Sequence, residues 1–147
     1  MKKSILVAMF VLSLSVSACG NNNSDSKSNS AQSEKITYKD GTYNGESTKD
    51  ERGNMIKVEI EVKDSAITNV KVQNLNGEGK EKDKDYGKDT NNEGLYKQAQ
   101  NSLVGTATYG PKLIETQDIE KVDAVSGATM SNVAFKEAVK NALESAK

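Results

Sequence analysis

From Ile56 to Val62 every second residue is apolar. Ile56, Val58, Ile60 and Val62 alternate with Lys57, Glu59, Glu61 and Lys63. A two-residue period places the four branched side chains on one side of an extended chain and the four charges on the other. A helix would scatter both sets around its surface. Asn54–Lys63 is therefore a strand with one buried face and one wet face, the pattern of an antiparallel sheet. Asp64-Ser65 is a turn signal, and Ile67–Leu75 is the returning strand, with Val70 and Val72 on one face. Ile67 is out of phase with those two, which predicts a bulge or an irregular start. Gly41–Ser47 mixes Thr, Tyr and polar residues between glycines and reads as a further short strand.

The second half of the chain changes period. Asn76–Asn92 is dense in Lys, Asp, Glu and Gly and reads as a mobile, solvated loop. Leu95, Ala99 and Leu103 recur at four-residue spacing, so Glu93–Val104 is predicted helical and Gly105 is predicted to end it. Pro111 limits any helical restart to the residues after it, and Leu113–Ile119 has no decisive pattern. A last helix, capped by Ser131 or Asn132, runs to about Ala146. Its apolar stripe is Phe135, Ala138, Val139, Ala142 and Leu143, with Lys136, Glu137, Lys140 and Glu144 outside. The expected fold class is α+β: a small antiparallel hairpin or meander packed by a middle helix and a C-terminal amphipathic helix.

The N-terminus has a different purpose. Lys2 and Lys3 precede an apolar run from Ile5 to Leu14 and the small residues Ser15 to Ala18, the layout of a secretory signal peptide. The run is shorter than the roughly 20 residues that span a bilayer. Val16-Ser17-Ala18-Cys19 resembles a lipobox, which implies that the Cys19 thiol receives a diacylglycerol and becomes the mature N-terminus. Cys19 is the only cysteine, so no intramolecular disulfide is available to explain it. Loss of residues 1–18 would remove two lysines and no acid, taking the formal charge from −1 to −3. Gly20 to Lys35 is rich in Asn and Ser and cannot bury enough surface to fold. As a flexible tether of that length it would span about 20–25 Å. The expected organisation is thus a signal peptide at 1–18, a tether at 19–36 and one folded domain at 37–147, held to the bilayer through Cys19 on the extracytoplasmic face.

Composition removes several function classes. The chain has no His, so Ser-His-Asp and Cys-His catalysis and ordinary zinc sites are excluded. Near-neutral charge provides no field to attract nucleic acid. What remains is Asp123-Ala124-Val125-Ser126-Gly127-Ala128-Thr129-Met130-Ser131, a glycine-containing turn crowded with hydroxyls before a helix start. Free N–H groups and a partial positive charge at such a start suit a phosphate. On spacing alone, a tight turn and N-cap without any ligand explains it at least as well.

The segment Asp123-x-x-Ser126-Gly127-Ala128-Thr129 resembles the attachment motif of the FMN-binding domain family. That family includes flavoprotein subunits of ion-pumping NADH:quinone and ferredoxin:NAD oxidoreductases and small flavin-bearing lipoproteins. The likeness extends over about residues 40–146, including Gly41-Thr42-Tyr43-Asn44-Gly45-Glu46, Leu113-Ile114-Glu115-Thr116-Gln117 and the closing helix. It implies a phosphoester between FMN and the Thr129 hydroxyl, made from FAD by a separate magnesium-dependent flavin transferase. Ser126, Gly127 and Ala128 would shape the turn, and Asp123 would complete the sequence the transferase recognises. Larger family members carry Glu-Thr-Pro-Gly-Leu-Gly beside the flavin. Here only Asn92-Glu93-Gly94-Leu95-Tyr96 occupies a comparable place, which makes Leu95 and Tyr96 candidates for flanking the ring. Tyr43 and Tyr109 are further stacking candidates. The implied role is a membrane-anchored electron carrier, supplied by a membrane dehydrogenase or quinol, rather than an enzyme acting alone. The competing readings are a flavin-free surface lipoprotein acting as a binding or antigen module, and a pheromone precursor whose active part is the released signal fragment.

Overall fold

The computed structural model describes residues 37–147. The signal peptide, Cys19 and the tether at 19–36 lie outside the described residues. Three strands, β1 (Gly41–Glu46), β2 (Met55–Lys63) and β3 (Ala66–Leu75), form one antiparallel sheet in the order β1-β2-β3. Three helices follow: α1 (Glu93–Ala107), α2 (Tyr109–Thr116) and α3 (Thr129–Glu144). All three lie against the same face of the sheet, so the domain is α+β, as the alternation predicts. Among the described residues no helix is long and apolar enough to cross a membrane.

The alternating residues define that face. Ile56, Val58, Ile60 and Val62 are all buried, and Glu59, Glu61 and Lys63 opposite them are exposed. Asp64 and Ser65 close the β2–β3 hairpin with φ of 52° and 61°. Two successive left-handed residues make the turn whose twist matches the strands. The Asp40 carboxylate accepts from the Ser65 N–H at 3.0 Å. Hydrogen bonds from this turn hold its carboxyl below the usual carboxylate range. The irregularity expected at Ile67 is a bulge: Glu61 pairs with Asn69 and Val62 with Ile67, leaving Thr68 as an extra residue. The extra residue restores the phase, so Ile67 and Val70 both enter the core.

Gln117 repairs the backbone at the bulge. Its side-chain oxygen accepts from the Ile67 N–H at 2.8 Å, and its amide nitrogen donates to the Ile67 carbonyl at 2.8 Å. The residue sits at the C-cap of α2 with φ 55°.

Helix α3 lies across β1 and β2 with the predicted stripe inward: Phe135, Ala138, Val139, Ala142 and Leu143 are all buried. Its approach to β1 is backbone on backbone. A Cβ on Gly45 would stand 2.0 Å from the Ala138 carbonyl and 2.6 Å from the Ala142 nitrogen. Gly45 thus permits the close seating of the helix, and the alanines opposite it complete the fit.

Three sequence expectations need correction. Gly105 does not end α1 but lies inside it, buried, because its missing side chain admits the Ala128 methyl. Pro111 does not delay α2, which begins at Tyr109; a proline in the first turn gives up an N–H that has no intrahelical partner there. Helix α3 begins at Thr129, with Ala128 at the N-cap, rather than after a Ser131 or Asn132 cap. The undecided stretch from Leu113 falls mostly within α2. The charged 76–92 segment is largely exposed, as expected, yet carries defined turns. The Asn76 side chain accepts from the N–H groups of Glu78 and Lys80, and the Lys82 ammonium lies 4.9 Å from the Tyr86 ring centre.

Two substitutions test these contacts. Gly45→Ala should push α3 off the sheet and destabilise the domain by about 1–3 kcal/mol or more, read as a lower urea midpoint. Gln117→Asn tolerates the left-handed backbone but is one methylene too short to reach Ile67. It should lose about 1 kcal/mol in the same titration.

Candidate functional site: the turn before the last helix

The hydroxyl-rich turn runs from Val122 into the head of α3. Its backbone is fastened from three sides. From below, the Tyr109 hydroxyl donates to the Ala128 carbonyl at 2.9 Å and accepts from the Val125 N–H at 3.2 Å. From within α3, the Asn132 side chain donates to the Val122 carbonyl at 3.1 Å. From α1, Gly105 comes so close that a Cβ there would meet the Ala128 Cβ at 2.6 Å and the Val125 Cβ at 3.3 Å. The Ser102 and Ser131 hydroxyls are 3.2 Å apart, tying α1 to the first turn of α3. The turn itself closes through the Ala128 N–H on the Val125 carbonyl at 2.9 Å.

This scaffold presents the motif residues differently. Ala128 and Asn132 are buried, while Asp123, Ser126, Gly127 and Thr129 are exposed. Gly127 has φ +83°, the left-handed conformation that favours glycine. Thr129 is the first helical residue, and no side chain caps the helix. The first intrahelical bond goes from the Asn132 N–H to the Ala128 carbonyl at 2.9 Å. The N–H groups of Thr129, Met130 and Ser131 precede it and have no carbonyl one turn back to bond. Among the described residues no hydrogen bond engages the Thr129 hydroxyl, whereas that of Ser131 faces Ser102.

An open hydroxyl, unused N–H donors and a left-handed glycine leaving room beside them fit a phosphate group at this point. The lead-in is pinned electrostatically as well. Glu120, in a single 3-10 turn at Ile119–Lys121, pairs with Lys140 at 2.9 Å and Lys136 at 3.5 Å. Its carboxyl is held below the usual carboxylate range, first by the Lys140 hydrogen bond and charge and then by Lys136. Stability from that shift is present at neutral pH and is lost as pH falls through the folded-state value.

The aromatic candidates divide. Tyr109 is fully buried against Phe135, with ring centres 5.5 Å apart, so it cannot stack on a ligand; its part is to hold the turn. Tyr43 lies on β1, with its hydroxyl on the Lys39 carbonyl. Leu95 and Tyr96 belong to the first turn of α1. Leu95 is half exposed, and the Tyr96 hydroxyl donates to the Lys84 carbonyl at 2.8 Å. The α1 residues that meet the motif are Asn101, Ser102 and Gly105. Ser102 is seven residues beyond Leu95, about 10 Å along the helix axis. Sequence reading missed Gly105, Asn132 and Ser102 as supports of the turn. A glycine within an otherwise helical run was the one available hint of close helix packing.

The sequence model of the FMN-binding domain matches residues 52–144. A crystal structure of a Clostridium perfringens protein is similar at 36% identity and a TM-score of 0.57, covering 74% of this chain and 88% of that one. A solution structure of a Clostridium thermocellum protein is similar at 25% identity and a TM-score of 0.43, covering 74% of this chain and 92% of that one. No curated protein sequence gives a significant match. The matched span takes in β2, β3, all three helices and the turn before α3, and β1 precedes it. The chain belongs to the FMN-binding domain family, and its cofactor is FMN.

Proposed function

We propose that this protein is a lipid-anchored, extracytoplasmic electron carrier whose FMN is joined through its phosphate to the Thr129 hydroxyl. One observation carries the reading. Thr129 is exposed at the first position of α3, its hydroxyl is unengaged among the described residues, and the N–H groups beside it lack intrahelical partners.

In this reading the Thr129 oxygen attacks the FMN phosphorus of FAD. A new phosphorus–oxygen bond forms, the pyrophosphate bond breaks, AMP leaves and the hydroxyl proton passes to a base of the magnesium-dependent transferase. The free N–H groups at the head of α3 take up the phosphate charge. Gly127 keeps the approach open, and Ser126 and Asp123 face outward where the transferase can read them. Ser131 is a poorer acceptor because its hydroxyl already faces Ser102. Leu95 and Tyr96, in the first turn of α1, would flank the ring. FMN, once attached, supplies one- and two-electron redox chemistry. The protein's contribution is to keep it from being lost outside the cell and to present it to partners.

Cys19 would take the lipid, and a tether at 19–36 would leave the domain within reach of a membrane dehydrogenase or quinol and of an acceptor. A chain without His suits relay of electrons better than acid–base turnover of a substrate.

Co-expression with a flavin transferase tests the attachment. The wild-type chain should carry visible flavin absorbance that survives denaturation, and intact mass should rise by one FMN less water. Thr129→Ala should be colourless, and Thr129→Ser should keep the colour. A colourless wild-type chain beside an active transferase would favour the flavin-free lipoprotein instead. The anchor has its own test. Cys19→Ser should shift the protein from the membrane fraction to the soluble fraction, whereas retention in the membrane would refute lipidation at that thiol.

A further inference from the structure

We propose that the buried Tyr109 hydroxyl is a positioning group for flavin attachment, holding the Val125–Ala128 turn in the one conformation that presents Thr129 to the transferase. The inference rests on Thr129 being the acceptor.

The geometry is specific to this one oxygen. Tyr109 is the first residue of α2 and is fully buried, so its hydroxyl had to find partners within the fold. It finds both on one four-residue turn, donating to the Ala128 carbonyl at 2.9 Å and accepting from the Val125 N–H at 3.2 Å. The Ala128 carbonyl also receives the first helical bond of α3, from the Asn132 N–H at 2.9 Å. One hydroxyl therefore joins the turn that precedes Thr129 to the helix that begins with it.

The ring and the hydroxyl have separable duties. The ring fills the core against Phe135, and a phenylalanine would fill the same space. The hydroxyl adds a donor and an acceptor to a turn that otherwise closes on a single backbone bond, from the Ala128 N–H to the Val125 carbonyl. Without the hydroxyl, the Val125 N–H loses its partner and the turn samples other conformations. Only the fraction in the presenting conformation is a substrate, so apparent affinity for the transferase falls by that fraction.

The test is Tyr109→Phe in the full chain, with flavin transfer from FAD followed under initial-rate conditions. The account predicts roughly a threefold to tenfold higher KM for the protein substrate, with kcat close to wild type. Amide hydrogen exchange should speed up at Val125 and stay unchanged at Val139, in the middle of α3. Val62→Ala, at the far end of β2, is the control for general destabilisation. It should lower the melting temperature while leaving the transfer kinetics of the folded chain unchanged. The proposal is overturned if Tyr109→Phe is modified with wild-type KM, or if Val62→Ala raises KM equally. A further measurement needs no variant: in the wild-type chain the Val125 amide must be protected from exchange, and exchange as fast as at exposed amides would also overturn it. A wild-type chain that never accepts flavin at Thr129 is a different outcome, and it refutes the attachment itself.

Discussion

The seating of α3 on β1 at Gly45 determines where everything else in the domain can be. A helix whose backbone touches a strand has little freedom to slide or rotate. Here the Ala138 and Ala142 backbones occupy the space a side chain at position 45 would need. That contact, with Phe135, Val139 and Leu143 buried in the same core, fixes the axis of α3 and so the place where its first residue emerges. The sheet needs such a cover because only one of its faces is apolar. The head of the helix, with Thr129 on it, is consequently presented by a rigid layer rather than by a loose loop. Sites built on fixed elements hold their geometry better than sites on loops.

Around that helix head, polarity is used sparingly. The buried polar groups near the turn are each matched to backbone: the Tyr109 hydroxyl to Val125 and Ala128, the Asn132 amide to Val122. These partners satisfy the turn's inward-facing groups and leave its outward face, with Ser126 and Thr129, open to solvent. A rigid underside and an open upper side are what modification by a second enzyme requires. Under the proposed attachment, a modifying enzyme would have to reach the hydroxyl and find it in one place. The domain needs no deep pocket if the cofactor is held by a bond.

Much of this could be read from single residues in order. The β2 alternation gave the buried face, the phase of Ile67 gave the bulge, and the stripe from Phe135 to Leu143 gave the inward side of α3. The motif gave the turn. What escaped were features set by distant neighbours. Gly105 looked like a helix terminator because glycine weakens helices, but its lack of a side chain is used by Ala128, far along the chain. Tyr109 looked like an available aromatic because nothing local shows that it is buried. The pairing of Gln117 with Ile67 crosses fifty residues. Local propensity cannot report such contacts, and those of Gly105 and Tyr109 are the ones that hold the turn.

The most direct examination of the central claim is to locate the bound flavin within the peptide that carries it. Protein matured beside a flavin transferase would be digested, and the flavin-bearing fragment sequenced by tandem mass spectrometry. The account predicts one modified peptide, with the whole FMN mass assigned to Thr129 and with Ser126 and Ser131 bare. An adduct on either serine, or flavin that leaves the chain on unfolding, would contradict it.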